Sequence, residues 1–203
     1  MKNPGQFSVK INTILLPGVK QLLRDNPDIR VDVTIDYGLA DVVADRFDAG
    51  IRLGGEIAKD MIAVRISPDI PMAIVGSPDY FRTHPAPMSP ARLVEHKAVN
   101  LRLPTSQTVN GWRLMRGGRE TRVRLEGQMT LNTIDLIRDA ALDGHGLAYL
   151  PLDMVQSDLE HGDLVQMLAK FTPPLPGYHL YYPNRRQAPV AFRLFVEAVR
   201  YIG

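Results

Sequence analysis

Residues 131–151 read LNTIDLIRDAALDGHGLAYLP, and this stretch decides the fold. Asn132 is a good N-cap residue, with Asp135 three positions later, and the apolar residues that follow recur at the spacing of one helix face. Gly144 suits the left-handed position just after a helix, and residues 147–151 are typical of a short buried strand. A capped helix followed by a buried strand is the unit from which α/β proteins are built.

The same alternation of helical and strand patterns extends over the rest of the chain. The sequence predicts a first helix that starts near Ser8 and stops at Asn26-Pro27, followed by a half-buried strand over residues 29–35. Helical spacing resumes from Leu39 to Phe47. Further strands are predicted at residues 49–54, 61–66, 72–76, 98–103 and 180–183, and further helices at residues 153–161 and 189–201. Two α/β lobes are expected, joined near Gly76-Ser77 and through the proline-rich residues 173–177.

A predicted hairpin in the middle of the chain is rich in arginine. Strand patterns at residues 112–115 and 119–131 flank Gly117-Gly118, which suits a tight turn. Such a basic cluster is compatible with nucleic-acid binding, but the neighbouring glutamates and the lack of interleaved aromatic residues favour a solvated edge strand protected by charge. The arginines are residues 113, 116, 119, 122 and 124.

Length and composition exclude several classes of protein. The 203 residues can form one large domain or two small lobes, and 24 basic against 22 acidic residues leave a net charge of only +2, which carries no nucleic-acid signature. Cysteine is absent, so disulfides, thiol nucleophiles and Cys-based metal sites are excluded. No apolar run suits a secretory signal or a membrane span. We therefore expect a cytoplasmic protein without a membrane partner.

The sequence shows no recognisable catalytic machinery. The five histidines have no metal-binding spacing, so no metal is predicted. The chain also lacks a nucleophile elbow, a phosphate-binding loop and a dinucleotide fingerprint, so no cofactor and no catalytic residue are predicted. His145, between Gly144 and Gly146, is the one histidine placed where it could meet a ligand, although an exposed loop histidine is an equally good interpretation.

Two helix starts and one arginine are better candidates for a binding site. Ser8 and Asn132-Thr133 each precede a predicted helix, whose free N–H groups and positive dipole end suit an anion such as a carboxylate. Arg52 stands in an otherwise apolar strand and requires a counter-charge, which a ligand or a neighbour such as Asp36 or Asp48 could supply. Ordinary caps and an internal ion pair explain each feature equally well when it is taken singly.

Several ordered blocks resemble one family. FDAGIRLG, DMIAVRI, MAIVGSPDYF, HKAVNLRLP, LNTIDLIRDAALDGHGLAYLP and PPLPGYHLYYPNRRQ closely resemble, in order and spacing, the effector-binding domain of LysR-type transcriptional regulators. The resemblance runs from about residue 11 to residue 201. Two positions depart from the family pattern: the first strand is shortened to residues 2–6, and His145 stands where the family more often has an apolar residue.

The resemblance implies an α/β, periplasmic-binding-protein-like (type II) fold, with two α/β subdomains around a ligand cleft. Subdomain I would comprise residues 1–76 and 178–203, and subdomain II residues 77–177. It also implies a small-molecule effector, a homodimer within a tetrameric full-length regulator, and DNA binding only through an N-terminal winged helix-turn-helix, which this sequence does not contain.

The resemblance also carries over the family's cleft positions. They fall on Ser8, Tyr37, Gly38, Arg52, Leu53, Gly54, Leu101, Arg102, Asn132 and Thr133, and the position of His145 completes the expected ligand-binding set. We therefore expect an effector-sensing domain and not an enzyme. One alternative is a solute-binding protein of the same fold, which would need a secretory signal or lipid anchor. Another is a small hydrolase or isomerase, which would need a recognisable base and nucleophile.

Overall fold

The computed structural model describes residues 7–34, 47–53, 61–102, 109–184 and 188–203. The chain forms two compact units. Unit 1 comprises Met1–Asp69 and Leu175–Gly203, and unit 2 comprises Ile70–Pro174. In chain order the elements are α1 (Phe7–Asp25), β1 (Gly50–Leu53), β2 (Met61–Arg65), β3 (Met72–Gly76), α2 (Pro78–Thr83), β4 (Val99–Leu101), β5 (Trp112–Arg116), β6 (Arg119–Val123), β7 (Met129–Leu131), α3 (Ile134–Leu142), β8 (Ala148–Pro151), α4 (Leu152–His161), β9 (Val165–Met167), β10 (Tyr178–Pro183) and α5 (Val190–Val199), with short 3₁₀ helices at Pro90–Glu95 and Ala169–Phe171.

Unit 1 is built around β10. This strand lies between β1 and β2 and pairs antiparallel with both of them, so the sheet order is β1-β10-β2. Leu180 of β10 is 1% exposed and packs in the unit's core. The middle strand and α5 come from the end of the chain, whereas α1, β1 and β2 come from its beginning. Unit 1 is therefore assembled from both ends of the described sequence.

The two helices of unit 1 pack at very short range. Leu15, Val19 and Leu22 form the buried face of α1, and α5 contributes Val196 and Val199 to the buried residues. A Cβ atom on Gly18 would lie 2.1 Å from the carbonyl oxygen of Ala198 in α5. Since that oxygen belongs to the backbone, it cannot move aside without moving the helix. Glycine at position 18 therefore sets the distance between α1 and α5.

Unit 2 contains a sheet and a covering hairpin. β3 pairs antiparallel with β8 and β9, and β4 pairs parallel with β7. An isolated parallel bridge between Ala98 and Leu147 connects the two sets of strands. The hairpin β5-β6 places Trp112 and Leu114 in a core that also contains Leu147. Residues of β3, β4 and β8 are accordingly among the most buried of the chain.

The predicted turn signals are confirmed. Gly117 and Gly118 connect β5 to β6 and have φ values of 56° and 76°, a pair of left-handed conformations that suits a two-residue hairpin turn. Gly144 follows α3 with φ 79°, and Gly162 ends α4 with φ 80°. Each glycine was placed from the sequence because few other residues adopt this backbone conformation.

Three expectations about strands and domain bounds differ from the structure. The strand predicted over residues 119–131 is divided into β6 and β7, which pair with different strands. The strand predicted over residues 29–35 is wrong for residues 29–34, which are irregular, and residue 35 lies outside the described residues. Alternation shows which face a strand would bury, but a strand also needs a partner with which to pair. The segment 72–76, placed in subdomain I by the sequence, lies in unit 2 because β3 pairs with β8 and β9.

A buried histidine lies beside β4. His96 is 5% exposed, and its Nδ1 lies 3.3 Å from the hydroxyl of Tyr80 in α2. The same hydroxyl accepts a hydrogen bond from the Lys97 N–H at 3.0 Å, and the ring of His84 stacks on Tyr80 with 4.4 Å between centroids. Burial lowers the pKa of His96, and the nearby His84 lowers it further. Burial therefore favours the neutral form of His96 in the folded protein.

We predict that Gly18→Ala destabilises the protein. An alanine in a helix interior normally adds up to about 1 kcal/mol of stability, but here its Cβ would collide with the Ala198 carbonyl. Forcing α1 and α5 apart should cost about 1–3 kcal/mol, measured by chemical denaturation. Lys20→Ala, at an exposed position of the same helix, is the control and should change stability by less than about 0.5 kcal/mol. Equal stability of Gly18→Ala and the wild type would contradict the close packing.

We also predict that the folded protein loses stability at acidic pH because of His96. Because the folded-state pKa of His96 lies below its ordinary value of 6.5, the unfolded chain takes up a proton first. The stability that His96 contributes in its neutral form is therefore fully present above pH 6.5 and is lost as the pH falls below 6.5. His96→Gln, which keeps a polar group but does not titrate, should show a smaller drop in melting temperature between about pH 7.5 and 5.5.

The exposed helix-end variant His161→Gln serves as the control for this experiment and should retain the full pH dependence. An unchanged pH dependence in His96→Gln would show that other groups cause the loss of stability.

Candidate functional site

Unit 2 brings four of the predicted site residues to one edge. Because β4 and β7 run parallel with Leu101 opposite Leu131, the chain leaves both strands at the same carboxyl end. Arg102 follows β4, and its N–H donates to the Leu131 carbonyl at 2.9 Å. Asn132 and Thr133 follow β7 directly. Ligands of open α/β sheets commonly bind at such carboxyl ends.

The helix α3 starts at this edge, with Thr133 as its N-cap. Thr133 has φ −129° and ψ 143°, and its carbonyl accepts a hydrogen bond from the Ile137 N–H. The prediction of Asn132 as the N-cap is therefore wrong by one residue, since both side chains suit a cap and the spacing alone does not separate them. The Thr133 side chain makes no capping hydrogen bond. The hydroxyl and the N–H groups of the first turn are thus placed together at the carboxyl edge.

An ion pair holds α3 in position. Arg138 donates from Nε and Nη2 to the two carboxylate oxygens of Asp158 in α4, at 2.6 and 2.5 Å. Asp158 is 6% exposed, and the hydrogen bond with this carboxylate raises the pKa of Arg138. A two-fold contact between planar groups fixes orientation as well as distance. Together with the buried Ile134 and Ile137, the pair prevents α3 from rotating at the edge.

The arrangement suits the binding of an anion. Arg102 and Asn132 are exposed, and Thr133 is half-buried. A guanidinium group and a helix start both attract negative charge, and both can donate hydrogen bonds to carboxylate oxygens. Among the described residues, no group of three or more His, Asp or Glu side chains could hold a metal ion.

The structure does not bring His145 to this edge. His145 is exposed and follows the opposite end of α3, where its N–H donates to the Ala140 carbonyl and the Gly144 N–H donates to that of Ala141. These two bonds form a Schellman motif, which explains the glycine at position 144. The nine residues of α3 separate His145 from Asn132 by roughly 14 Å.

In unit 1, Arg52 lies on an aromatic platform. Its side chain is exposed and not surrounded by the apolar strand, and the guanidinium carbon lies 4.8 Å from the ring centroid of Tyr181 in β10. That ring covers Gly50, where a Cβ atom would lie 2.2 Å from the tyrosine hydroxyl oxygen. Leu53 ends β1, half-buried and opposite Tyr178. The tyrosine thus orients Arg52 through a cation–π contact.

Four predicted positions cannot be compared. Tyr37, Gly38 and Gly54 lie outside the described residues, and for Ser8 only the backbone, in the first turn of α1, is described. Sequence reasoning missed Tyr181 and the pair of Arg138 with Asp158. The sequence offers one weak signal for the pair, an arginine and an aspartate placed on predicted helices near apolar residues.

Comparison with known proteins assigns the chain to a family. The family model described as the LysR substrate binding domain matches residues 8–201. The HTH-type transcriptional regulator PgrR of Escherichia coli (strain K12) is 63% identical over 191 residues, which make up 94% of this chain and 64% of that protein. A putative transcriptional regulator of Pseudomonas aeruginosa is 49% identical over 189 residues, covering 93% of this chain and 62% of that protein. The chain thus spans less than two thirds of the length of these curated relatives.

Solved structures show the same fold. The regulatory domain of CrgA, a LysR-type transcriptional regulator from Neisseria meningitidis, superimposes with a TM-score of 0.70 at 21% identity, covering 93% of this chain and 92% of that one. The full-length virulence activator AphB of Vibrio cholerae superimposes with a TM-score of 0.70 at 23% identity. The match covers 93% of this chain and 63% of that one. None of the described helices is long and apolar enough to cross a membrane.

The predicted fold class and family are therefore confirmed. The curated relatives are named as transcriptional regulators, which agrees with the prediction that this chain is not an enzyme. The chain belongs to the LysR substrate-binding domain family and has the α/β, type II periplasmic-binding-protein-like fold of the regulatory domains of LysR-type transcriptional regulators.

Proposed function

We propose that the chain is the effector-sensing domain of a transcriptional regulator and that its effector is a small molecule with a carboxylate or similar anionic group. One observation carries the proposal: at the carboxyl edge of β4 and β7, the N–H of the exposed Arg102 donates to Leu131, two residues before the Thr133 N-cap and the first turn of α3. Each of these groups donates hydrogen bonds or presents positive potential. Such a set is matched by a planar anion with two acceptor oxygens.

The contribution of unit 1 stays a prediction. The resemblance to LysR-type regulators leads us to propose that the effector also contacts Arg52 and Leu53, together with Ser8, Tyr37, Gly38 and Gly54. The contact of Arg52 with the Tyr181 ring supports a role for this arginine, because an oriented guanidinium loses less conformational entropy on binding than a free one.

The names of the relatives favour a regulator over the alternatives. Both are transcriptional regulators and neither is a transport protein or a hydrolase. A bound effector changes such a protein by favouring one of its conformations over another. We infer that the whole regulator binds DNA through a helix-turn-helix outside the sequence matched here, works as a homodimer within a tetramer, and acts in the bacterial cytoplasm where its DNA is.

Replacing the donors at the edge should weaken effector binding. A screen of small carboxylates and aromatics by thermal shift first identifies a ligand. Arg102→Ala and Asn132→Ala should then each weaken its binding about 10- to 100-fold in calorimetric titration, because each removes a polar contact worth about 1.5–3 kcal/mol. Arg52→Ala tests the predicted contribution of unit 1 in the same way.

The control for these variants is Arg122→Ala, an exposed arginine on the hairpin, which should bind the effector like the wild type. If Arg102→Ala and Asn132→Ala also bind like the wild type, the assignment of the edge is wrong. If Arg52→Ala unfolds the protein, that arginine has a structural role and the effector site must be sought elsewhere in unit 1.

We also expect a homodimer in solution. The resemblance implies that α1 and residues 29–35 of one chain pack against the second subdomain of the other. Leu23 of α1 is 37% exposed, although the neighbouring Leu22 is buried, so Leu23 is available for such an interface. Sedimentation at micromolar concentration should show a dimer, and Leu23→Glu should shift it towards monomer by placing a charge at the interface. Lys20→Ala is the control. A wild-type protein that is only monomeric would contradict the expectation.

A further inference from the structure

The hairpin β5-β6 concentrates positive charge. Residues 112–124 carry five arginines and a single acidic residue, Glu120, for a net charge of +4, whereas the whole chain carries +2. The rest of the chain is therefore net negative, by two charges. The near balance of the total charge therefore hides a strong local excess of positive charge.

The pairing register places the arginines on both faces of the hairpin. Arg116 and Arg119, paired beside the turn, lie on the same face as the buried Trp112 and Leu114, and the other face carries Arg113 and Arg122. Trp112, Leu114 and Val123 face the core, and Arg113 pairs across the strands with Arg122. Arg113 donates to the two oxygens of Glu120 at 2.8 and 2.5 Å, which neutralises that arginine and lowers the pKa of Glu120. Among the described residues, it is the only hairpin arginine in an ion pair. The other four are exposed: Arg116, Arg119, Arg122 and Arg124.

The tip of the hairpin is open to the solvent. A Cβ atom on Gly117 or on Gly118 would meet no heavy atom within 4 Å. Trp112 is 3% exposed and Leu114 fully buried, so the base of the hairpin is anchored in the core of unit 2. The four arginines that have no ion pair with a described residue therefore lie on a hairpin whose base is fixed in the core and whose turn is open to the solvent.

The chemistry of this surface fits phosphate better than protein. Stable protein interfaces need a buried apolar or aromatic centre, and none of the large exposed hydrophobic side chains of the described residues lies on the hairpin. Interfaces with the DNA backbone are polar and strongly basic, and arginine binds phosphate with two parallel hydrogen bonds. All the basic residues of the hairpin are arginines.

We propose that the exposed arginines of the β5-β6 hairpin contact the phosphate backbone of duplex DNA without reading its sequence. The proposal is independent of the effector, since the hairpin residues are not among the donors at the carboxyl edge. The curated relatives are named as transcriptional regulators, so duplex DNA is the polyanion that such a domain meets. The contact would add non-specific affinity, strongest at low salt, to whatever site the whole regulator recognises.

The test uses the 203-residue chain and a short fluorescent DNA duplex of arbitrary sequence. Anisotropy should show weak binding that falls steeply between about 20 and 200 mM salt, with a slope of log affinity against log salt near −0.9 for each phosphate contacted. The triple variant Arg119→Gln/Arg122→Gln/Arg124→Gln should lose at least tenfold in affinity at low salt and about three in slope.

A variant with the same loss of charge elsewhere in the chain is the matched control. Lys97→Gln/Lys170→Gln, together with Arg193→Gln in unit 1, removes three exposed cations outside the hairpin and should bind the duplex nearly as the wild type does. Equal losses in the two triple variants, or no binding by the wild type, would overturn the proposal. Displacement of the duplex by polyglutamate at equal charge concentration would also overturn it, because the hairpin would then be a surface for acidic proteins. Unchanged melting temperatures confirm that both variants are folded.

Discussion

The arrangement of unit 2 depends on a close approach of the backbone at the start of β4. A Cβ atom on Gly127 would lie 1.7 Å from the Ala98 carbonyl oxygen, and one on Gly146 would lie 2.6 Å from the Lys97 carbonyl oxygen. The two neighbouring segments also exchange hydrogen bonds with β4, from the Ala98 N–H to the Glu126 carbonyl at 2.9 Å and from the Leu147 N–H to that of Lys97 at 2.8 Å. The segment that leads into β4 is thus fixed on both sides by neighbours that must be glycine, because a side chain would not fit there.

This constraint determines where the candidate site lies. Once β4 is fixed between the segments that lead into β7 and β8, the parallel register places Leu101 beside Leu131, and the next residues leave the sheet together. That register brings Arg102 and Thr133 to the same edge, without any attraction between them. The ion pair of Arg138 with Asp158 then keeps α3 in the orientation that points its first turn at the edge.

Structural features that depend on a single residue could be predicted from the sequence. Features that depend on which segments pair with each other could not. Gly117 and Gly144 were placed correctly because a left-handed backbone is a local property that few residues tolerate. Residues 29–34 have a strand pattern, but a strand requires a partner that the pattern does not specify. The resemblance places His145 in the same ligand-binding set as Asn132, but the two residues lie at opposite ends of α3, and a sequence motif does not show that separation. The environment of Arg52 depends on Tyr181, more than a hundred residues away in sequence.

Unit 1 is formed by two segments that are separated in sequence by unit 2, and this has a consequence for folding during synthesis. Unit 2 is continuous in sequence, from Ile70 to Pro174, so it can fold as soon as these residues have left the ribosome. Unit 1 must wait, since its middle strand and the helix that packs on α1 follow unit 2 in the chain. Until they are made, β1 and β2 lack the strand that joins them, and their unpaired edges are open to wrong partners. The nascent chain is therefore most exposed to aggregation between the synthesis of β2 and that of β10 and α5.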